Sequence, residues 1–317
     1  MKEPGARRIK WFHIVLITIV ALLLLSLSPI YPARVGSAAD NRTLVAITLD
    51  DGYHCWTSEI MPVLQKYDMP ATFYIIDPQY QKGFSWTDAQ ELYNAGYEIG
   101  WHTAKHVSVD MMASSEIASD FESAEPMFES HGLPRPETFA YPSGRHSDQS
   151  MEVASRYFVA SRTTEDGVNY PDDVRENPQH LRGYSMEKGL SFLEKKVNKY
   201  SGQNVLITLV GHTVGEVASW QTKPDMTVDD FNALAEFLHE KEQAGLIEVV
   251  TLDEGVKRLQ QQELSYTWRI RIDSPFDTWF RFWVIPVPER YYIFYEKVVL
   301  DFIGHRYPQV PRWFDRY

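Results

Sequence analysis

Apolar and polar positions between residues 43 and 262 fall into two alternating textures. Short apolar or β-branched runs occur at 43–49, 71–77, 97–101, 137–141, 157–161, 205–211 and 247–251, the length and composition of buried strands. Between them lie amphipathic stretches at 57–67, 87–95, 115–130, 190–200 and 228–243. The last places Phe231, Leu234, Ala235 and Leu238 at helical spacing, with Asp229, Glu236 and Glu240 on other faces. Thr227-Val228-Asp229-Asp230 has the composition of a helix N-cap, and Gly96 and Gly245 stand where helix C-caps end. About seven βα units predict an α/β fold with a mostly parallel sheet, open or closed into an irregular barrel.

Both ends depart from this rhythm. In the segment 1–40, Lys2, Arg7, Arg8 and Lys10 precede an apolar stretch from 11 to 31, enough for one bilayer crossing at ~20 residues. The basic flank stays cytoplasmic, so the remainder is expected on the extracytoplasmic face. Two readings stay open: an anchor through 11–31, or a signal peptide with core 14–27, cleaved near Ser37-Ala38-Ala39 and releasing the protein. The segment 263–317 holds 16 of the chain's 43 aromatic residues, which sets it apart as an extension of the domain at 41–262. Its aromatics suit packing on the barrel, stacking on sugars or contact with a membrane.

Composition narrows the chemistry. A hydrophobic fraction of 44% fits a globular core, and a net charge of −12 argues against nucleic acid as partner. Cys55 is the only cysteine, which excludes an intrachain disulfide and a cysteine-rich metal site; a buried thiol is the expectation for it. Oligomeric state is not legible.

Two clusters carry the chemistry. Asp50-Asp51-Gly52 closes the first strand-like run, and His102-Thr103-Ala104-Lys105-His106 follows the third. Chemical sites of α/β barrels lie at strand C-terminal ends. Two imidazoles four residues apart point the same way if they share a helical turn. Two imidazoles and one carboxylate make a three-ligand site with open positions, suited to a catalytic metal, and leave the second carboxylate as a base. The plainer reading of Asp50-Asp51-Gly52 is a turn with an aspartate N-cap before the helix at 57.

Four ordered elements resemble the polysaccharide deacetylases of the NodB-homology group, carbohydrate esterase family four. They are Thr48-Leu49-Asp50-Asp51-Gly52, His102-Thr103-x-x-His106, Phe139-Ala140-Tyr141-Pro142-Ser143-Gly144, and Leu209-Val210-Gly211-His212. The resemblance covers about 42–262 and implies a distorted (β/α) barrel with a metal at its mouth: zinc, with cobalt or nickel as alternatives. It implies Asp51, His102 and His106 as metal ligands and Asp50 as general base. It further implies that the Pro142 turn offers the Ser143 N–H to an oxyanion, that His212 is the general acid, and that Leu209 and Tyr141 line the substrate pocket. The expected substrate is an acetylated amino-sugar polymer of a cell wall or surface. An O-acetyl ester, another non-peptide amide, or non-catalytic sugar binding are the alternatives.

The chain also departs from the family pattern. Ala140 stands where many members carry an arginine that tethers the base, and Ser143 where they carry tyrosine. No D-x-x-D-W element supplies an aspartate to support the acid histidine. Arg162 and Arg182 are the candidates to replace the tether.

Overall fold

All nine residues of β1 (Thr43–Asp51) are buried, and the rest of the sheet is arranged about this strand. The computed structural model describes residues 41–261 apart from Lys82; the expected N-terminal segment 1–40 and the aromatic extension 263–317 lie outside the described residues. Among the described residues no helix is long and apolar enough to cross a membrane.

After β1 come a π-helical turn (Trp56–Ile60) running into α1 (Met61–Lys66), β2 (Thr72–Ile75), α2 (Trp86–Asn94), β3 (Glu98–Trp101) and α3 (Ser114–Ser130). Then follow β4 (Thr138–Ala140), α4 (Asp148–Ala154), β5 (Ala160–Arg162), α5 (Pro171–Glu176), β6 (Tyr184–Ser185) and α6 (Leu190–Tyr200). The last elements are β7 (Leu206–Gly211), α7 (Val228–Gln243), β8 (Ile247–Val250) and α8 (Leu252–Gln261). The strand order is β5-β4-β3-β2-β1-β7-β6, with every pairing parallel. The sheet forks at β1: β8 pairs with Thr43–Ala46, while β2 pairs with Thr48–Asp51.

The sheet curls, and one segment links its two edges. Leu181 exchanges backbone hydrogen bonds with β5 and its neighbour Thr163, while Tyr184 and Ser185 pair with β7. Strand alternation then sorts the side chains. Val45, Ile47 and Leu49 of β1 join the large core beneath the helices. Leu44 and Ala46 face the other way, into a smaller cluster with Tyr74, Ala140, Ala160, Leu181 and Leu206. Helix α8 lays Leu252, Val256 and Leu259 on that inner cluster, and its first amides bond Thr72 and Glu98, the first residues of β2 and β3. The strands' N-terminal end is thereby covered, and their C-terminal end carries the site.

Local signals held where the chain makes its own contacts. The Thr227 hydroxyl caps α7 at the Asp230 N–H, and Phe231, Leu234, Ala235 and Leu238 are buried at ~1.5–3 kcal/mol for each large side chain. Gly96 and Gly245 follow their helices with positive φ. The fifth strand is displaced from the expectation at 157–161: it spans Ala160–Arg162, because Tyr157 and Phe158 leave α4 in a turn and pack on Phe121. Strand β6 and helices α4 and α5 are too short to show a period, and α8 was not foreseen although Leu252, Val256 and Leu259 stand at helical spacing.

Candidate active site

Asp50 and Asp51 are adjacent yet face different surroundings. Asp50 keeps the inward parity of Leu44 and Ala46, is 2% exposed, and is ion-paired to the fully buried Arg162 of β5. Arg162 also donates to the Thr163 carbonyl at 3.1 Å and lies over the Tyr74 ring, 5.2 Å from its centre. The fold therefore answers the missing tether: Ala140 and Arg162 are register partners on β4 and β5, and the guanidinium comes from one strand over.

At Asp51 the strand ends. Its φ of +83° and that of Gly52 at +97° turn the backbone through the left-handed region. Neither aspartate caps the following helix, whose N-cap Cys55 makes no side-chain capping bond. The Cys55 thiol is buried, and burial pushes its pKa up to about 12, so it is inert as expected.

Asp51 Oδ1 lies 3.4 Å from His102 Nε2 and 3.3 Å from His106 Nε2. Its other oxygen accepts from the Tyr53 hydroxyl at 3.0 Å, and that hydroxyl accepts from the Trp220 indole at 3.0 Å. Burial works to raise the Asp51 pKa, but His102 and then the charges of His106 and His212 outweigh it and hold it below the usual carboxylate range. His102 Nδ1 is 2.7 Å from the Ala140 carbonyl, which can only accept, so the proton sits on Nδ1 and the Nε2 lone pair faces Asp51. Burial, and then the neighbouring His102, lower the His106 pKa and favour its neutral form, the form that binds a metal.

One expectation about this pair fails. His102 and His106 do not share a helical turn; Thr103 (φ +63°) and His106 (φ +54°) are left-handed, and a tight loop brings the rings to 4.9 Å. The loop is held by the Val107 N–H on the Thr103 hydroxyl and the Ala104 N–H on Asp120.

These three residues fit a divalent ion. Ligand arms of ~2.0–2.1 Å in a tetrahedron place donor atoms ~3.3–3.4 Å apart, the spacing found here. Asp51 Oδ1 is moreover buried with no hydrogen-bond partner, although a buried polar atom normally has one.

His212 follows β7 at the same end of the barrel. Its Nδ1 is 3.0 Å from Asp225 Oδ2, and the same oxygen accepts the His212 backbone N–H at 2.5 Å. Burial works to lower the His212 pKa, but the Asp225 hydrogen bond and the charges of Asp50 and Asp51 overcome it and raise it to about 9. Asp225 is 5% exposed and is held in turn by Gln221. Sequence reasoning missed this aspartate, which lies in the irregular loop between β7 and α7. Only its position 13 residues after the histidine, in a polar loop, hinted at it.

Pro142 and Ser143 form the expected turn after β4, with Ser143 at φ +56° and Gly144 at φ +67°. The turn's own bonds use the Gly144 and Arg145 N–H groups. At Gly144 a Cβ would meet the Thr164 hydroxyl at 2.1 Å, so glycine is required by space as well as by φ. Leu209 and Tyr141 are fully buried. Tyr141 packs on Phe139 and beside His146.

A family model described as polysaccharide deacetylase matches residues 37–160. The matched stretch takes in Asp50, Asp51, His102, His106 and the Pro142 turn. Among curated proteins, YxkH of Bacillus subtilis (strain 168), which carries a polysaccharide deacetylase name, is 28% identical over 127 residues, 39% of this chain and 46% of that protein. A bifunctional xylanase/deacetylase of Pseudobutyrivibrio xylanivorans is 29% identical over 87 residues, 27% of this chain and 14% of that protein. The matched stretches span less than half the length of either relative. Among solved structures, BA3943 of Bacillus anthracis, described as a CE4 family pseudoenzyme, aligns over 68% of this chain and 65% of its own at 16% identity and a TM-score of 0.46.

Proposed function

We propose that the chain is a metal-dependent deacetylase that removes N-acetyl groups from the amino sugars of a cell-wall or surface polysaccharide. The observation that carries the reading is the division of labour at one barrel end. Three donors are spaced for an ion, a separate carboxylate is fixed by a buried arginine, and an imidazole is backed by an aspartate.

A divalent ion held by Asp51, His102 and His106, zinc before cobalt or nickel, supplies Lewis acidity to an amide carbonyl and to water. Asp50, excluded from that donor set by its inward parity, is the base that takes the proton of the attacking water. Arg162 holds that carboxylate in place through their buried ion pair. The Ser143 N–H at the left-handed turn is the candidate donor to the developing oxyanion. His212 delivers a proton to the departing amine while Asp225 holds its Nδ1 side. Leu209, three residues before His212 on β7, is the candidate contact for the acetyl methyl group. Acetate and a free amino sugar result.

The basic flank and apolar stretch 11–31 support placement outside the cytoplasmic membrane, anchored or released by cleavage. The test is acetate release from N-acetylated chito-oligosaccharide and peptidoglycan by the full-length protein, metal-stripped and then reloaded with zinc. Release restored by zinc and abolished in Asp50→Asn supports the reading. Zinc binding with no release from either polymer, nor from O-acetyl sugars, rejects it in favour of a binding role.

A further inference from the structure

A second group of metal-type donors lies beside the Pro142 turn, outside the residues used above. His146 Nε2 is 3.9 Å from Glu165 Oε1, and His180 Nε2 is 3.3 Å from Glu165 Oε2. One donor atom from each residue lies within 4.8 Å of the others, and the two rings are 4.6 Å apart. The three come from separate places in the chain: the end of the Pro142 turn, the loop after β5, and the segment that links β5 to β7.

Two features point to a cation between them. His180 Nε2 is buried and makes no hydrogen bond, although the Glu165 carboxylate is within reach, so its direction suits neither a donor nor an acceptor among the protein groups nearby. His146 Nδ1 lies 3.1 Å from the Gly144 carbonyl. A carbonyl only accepts, so Nδ1 carries the proton and the Nε2 lone pair is presented toward Glu165, the arrangement that orients a metal-bound imidazole. The close approach of Gly144 to Thr164 brings the two loops together at this point.

We propose that His146, Glu165 and His180 bind a second divalent ion. Two imidazoles and a carboxylate select a borderline ion such as zinc or cobalt over magnesium or calcium, and solvent completes the coordination. Drawing the 3.9 Å His146–Glu165 separation in to the ~3.3–3.4 Å of a tetrahedral site asks for side-chain movement of the half-exposed Glu165, with the two imidazoles adjusting about it. Bound there, the ion staples the Ser143 turn to β5, the strand of Arg162, and to the segment linking the sheet edges.

The test is metal stoichiometry on the metal-stripped full-length protein. It is titrated with cobalt followed by its visible absorption, and with zinc measured in gel-filtered protein. Wild type is expected to bind two equivalents, His180→Ala and Glu165→Gln one each, and an Asp51→Ala/His102→Ala/His106→Ala variant one, which Glu165→Gln in that background removes. Glu165 is half-exposed, so its isosteric substitution leaves the fold intact and keeps the result readable if another variant does not fold. A single wild-type equivalent that Glu165→Gln leaves in place, or two retained in both His180→Ala and Glu165→Gln, overturns the proposal. Loss of the first site would leave this second equivalent in place, so failure of the deacetylase reading is separable from failure here.

Discussion

Arg162 reaches Asp50 from the register position beside Ala140, so the tether and the gap it fills are cross-strand neighbours. Both residues face the inner cluster, and a guanidinium rooted on either strand has access to the same carboxylate. Arg162→Ala strands a buried carboxylate without its partner, at a cost of about 3–5 kcal/mol. Denaturant unfolding should show that loss, and acetate release should fall with it. Adding Ala140→Arg is expected to restore part of both. A double variant no better than the single one would show that the strand of origin matters.

Asp225 sets the charge of His212. Its hydrogen bond, together with the charges of Asp50 and Asp51, overcomes burial and raises the imidazole pKa from the ordinary 6.5 to about 9. Because the folded-state pKa is raised, the stabilisation is fully present below about 6.5 and is lost as pH rises through about 9. Following the His212 ring protons by NMR in metal-free protein should give that midpoint, and Asp225→Asn should move it down. An unchanged midpoint would remove Asp225 from the role of support.

Tyr53 occupies one Asp51 oxygen and leaves the other to the donor set. Tyr53→Phe is expected to weaken zinc binding about 10-fold or more, as changes behind a metal ligand do. His106→Ala, which deletes a donor, should weaken it further. Competition with a chelator reads both, and equal affinities in wild type and Tyr53→Phe would count against this arrangement.

Gly144 and Gly96 separate space from backbone conformation. Both have positive φ, but a Cβ at Gly96 meets nothing within 4 Å whereas one at Gly144 strikes Thr164. Gly96→Ala should cost about 1–2 kcal/mol from φ alone. Gly144→Ala should cost more and also depress acetate release by shifting the Ser143 turn. Thermal unfolding of the two side by side tests the contrast.

By itself the sequence determined most of the longer elements and where the candidate site's residues stand relative to them. Strand runs, the Thr227 cap and the spacing of Phe231, Leu234 and Leu238 act over a few residues, so local pattern reports them. Asp51, His102, His106 and His212 are likewise legible, because each stands next to a strand end and the sheet is parallel. Only the tertiary structure decided what supports them. Arg162 meets Asp50 across 112 residues, and Asp225 meets His212 from an irregular loop. The His102–His106 pair is set by two left-handed residues where periodicity suggested a helical turn. These contacts depend on strand order, parity and loop path, which involve residues distant in the chain and leave no periodic trace.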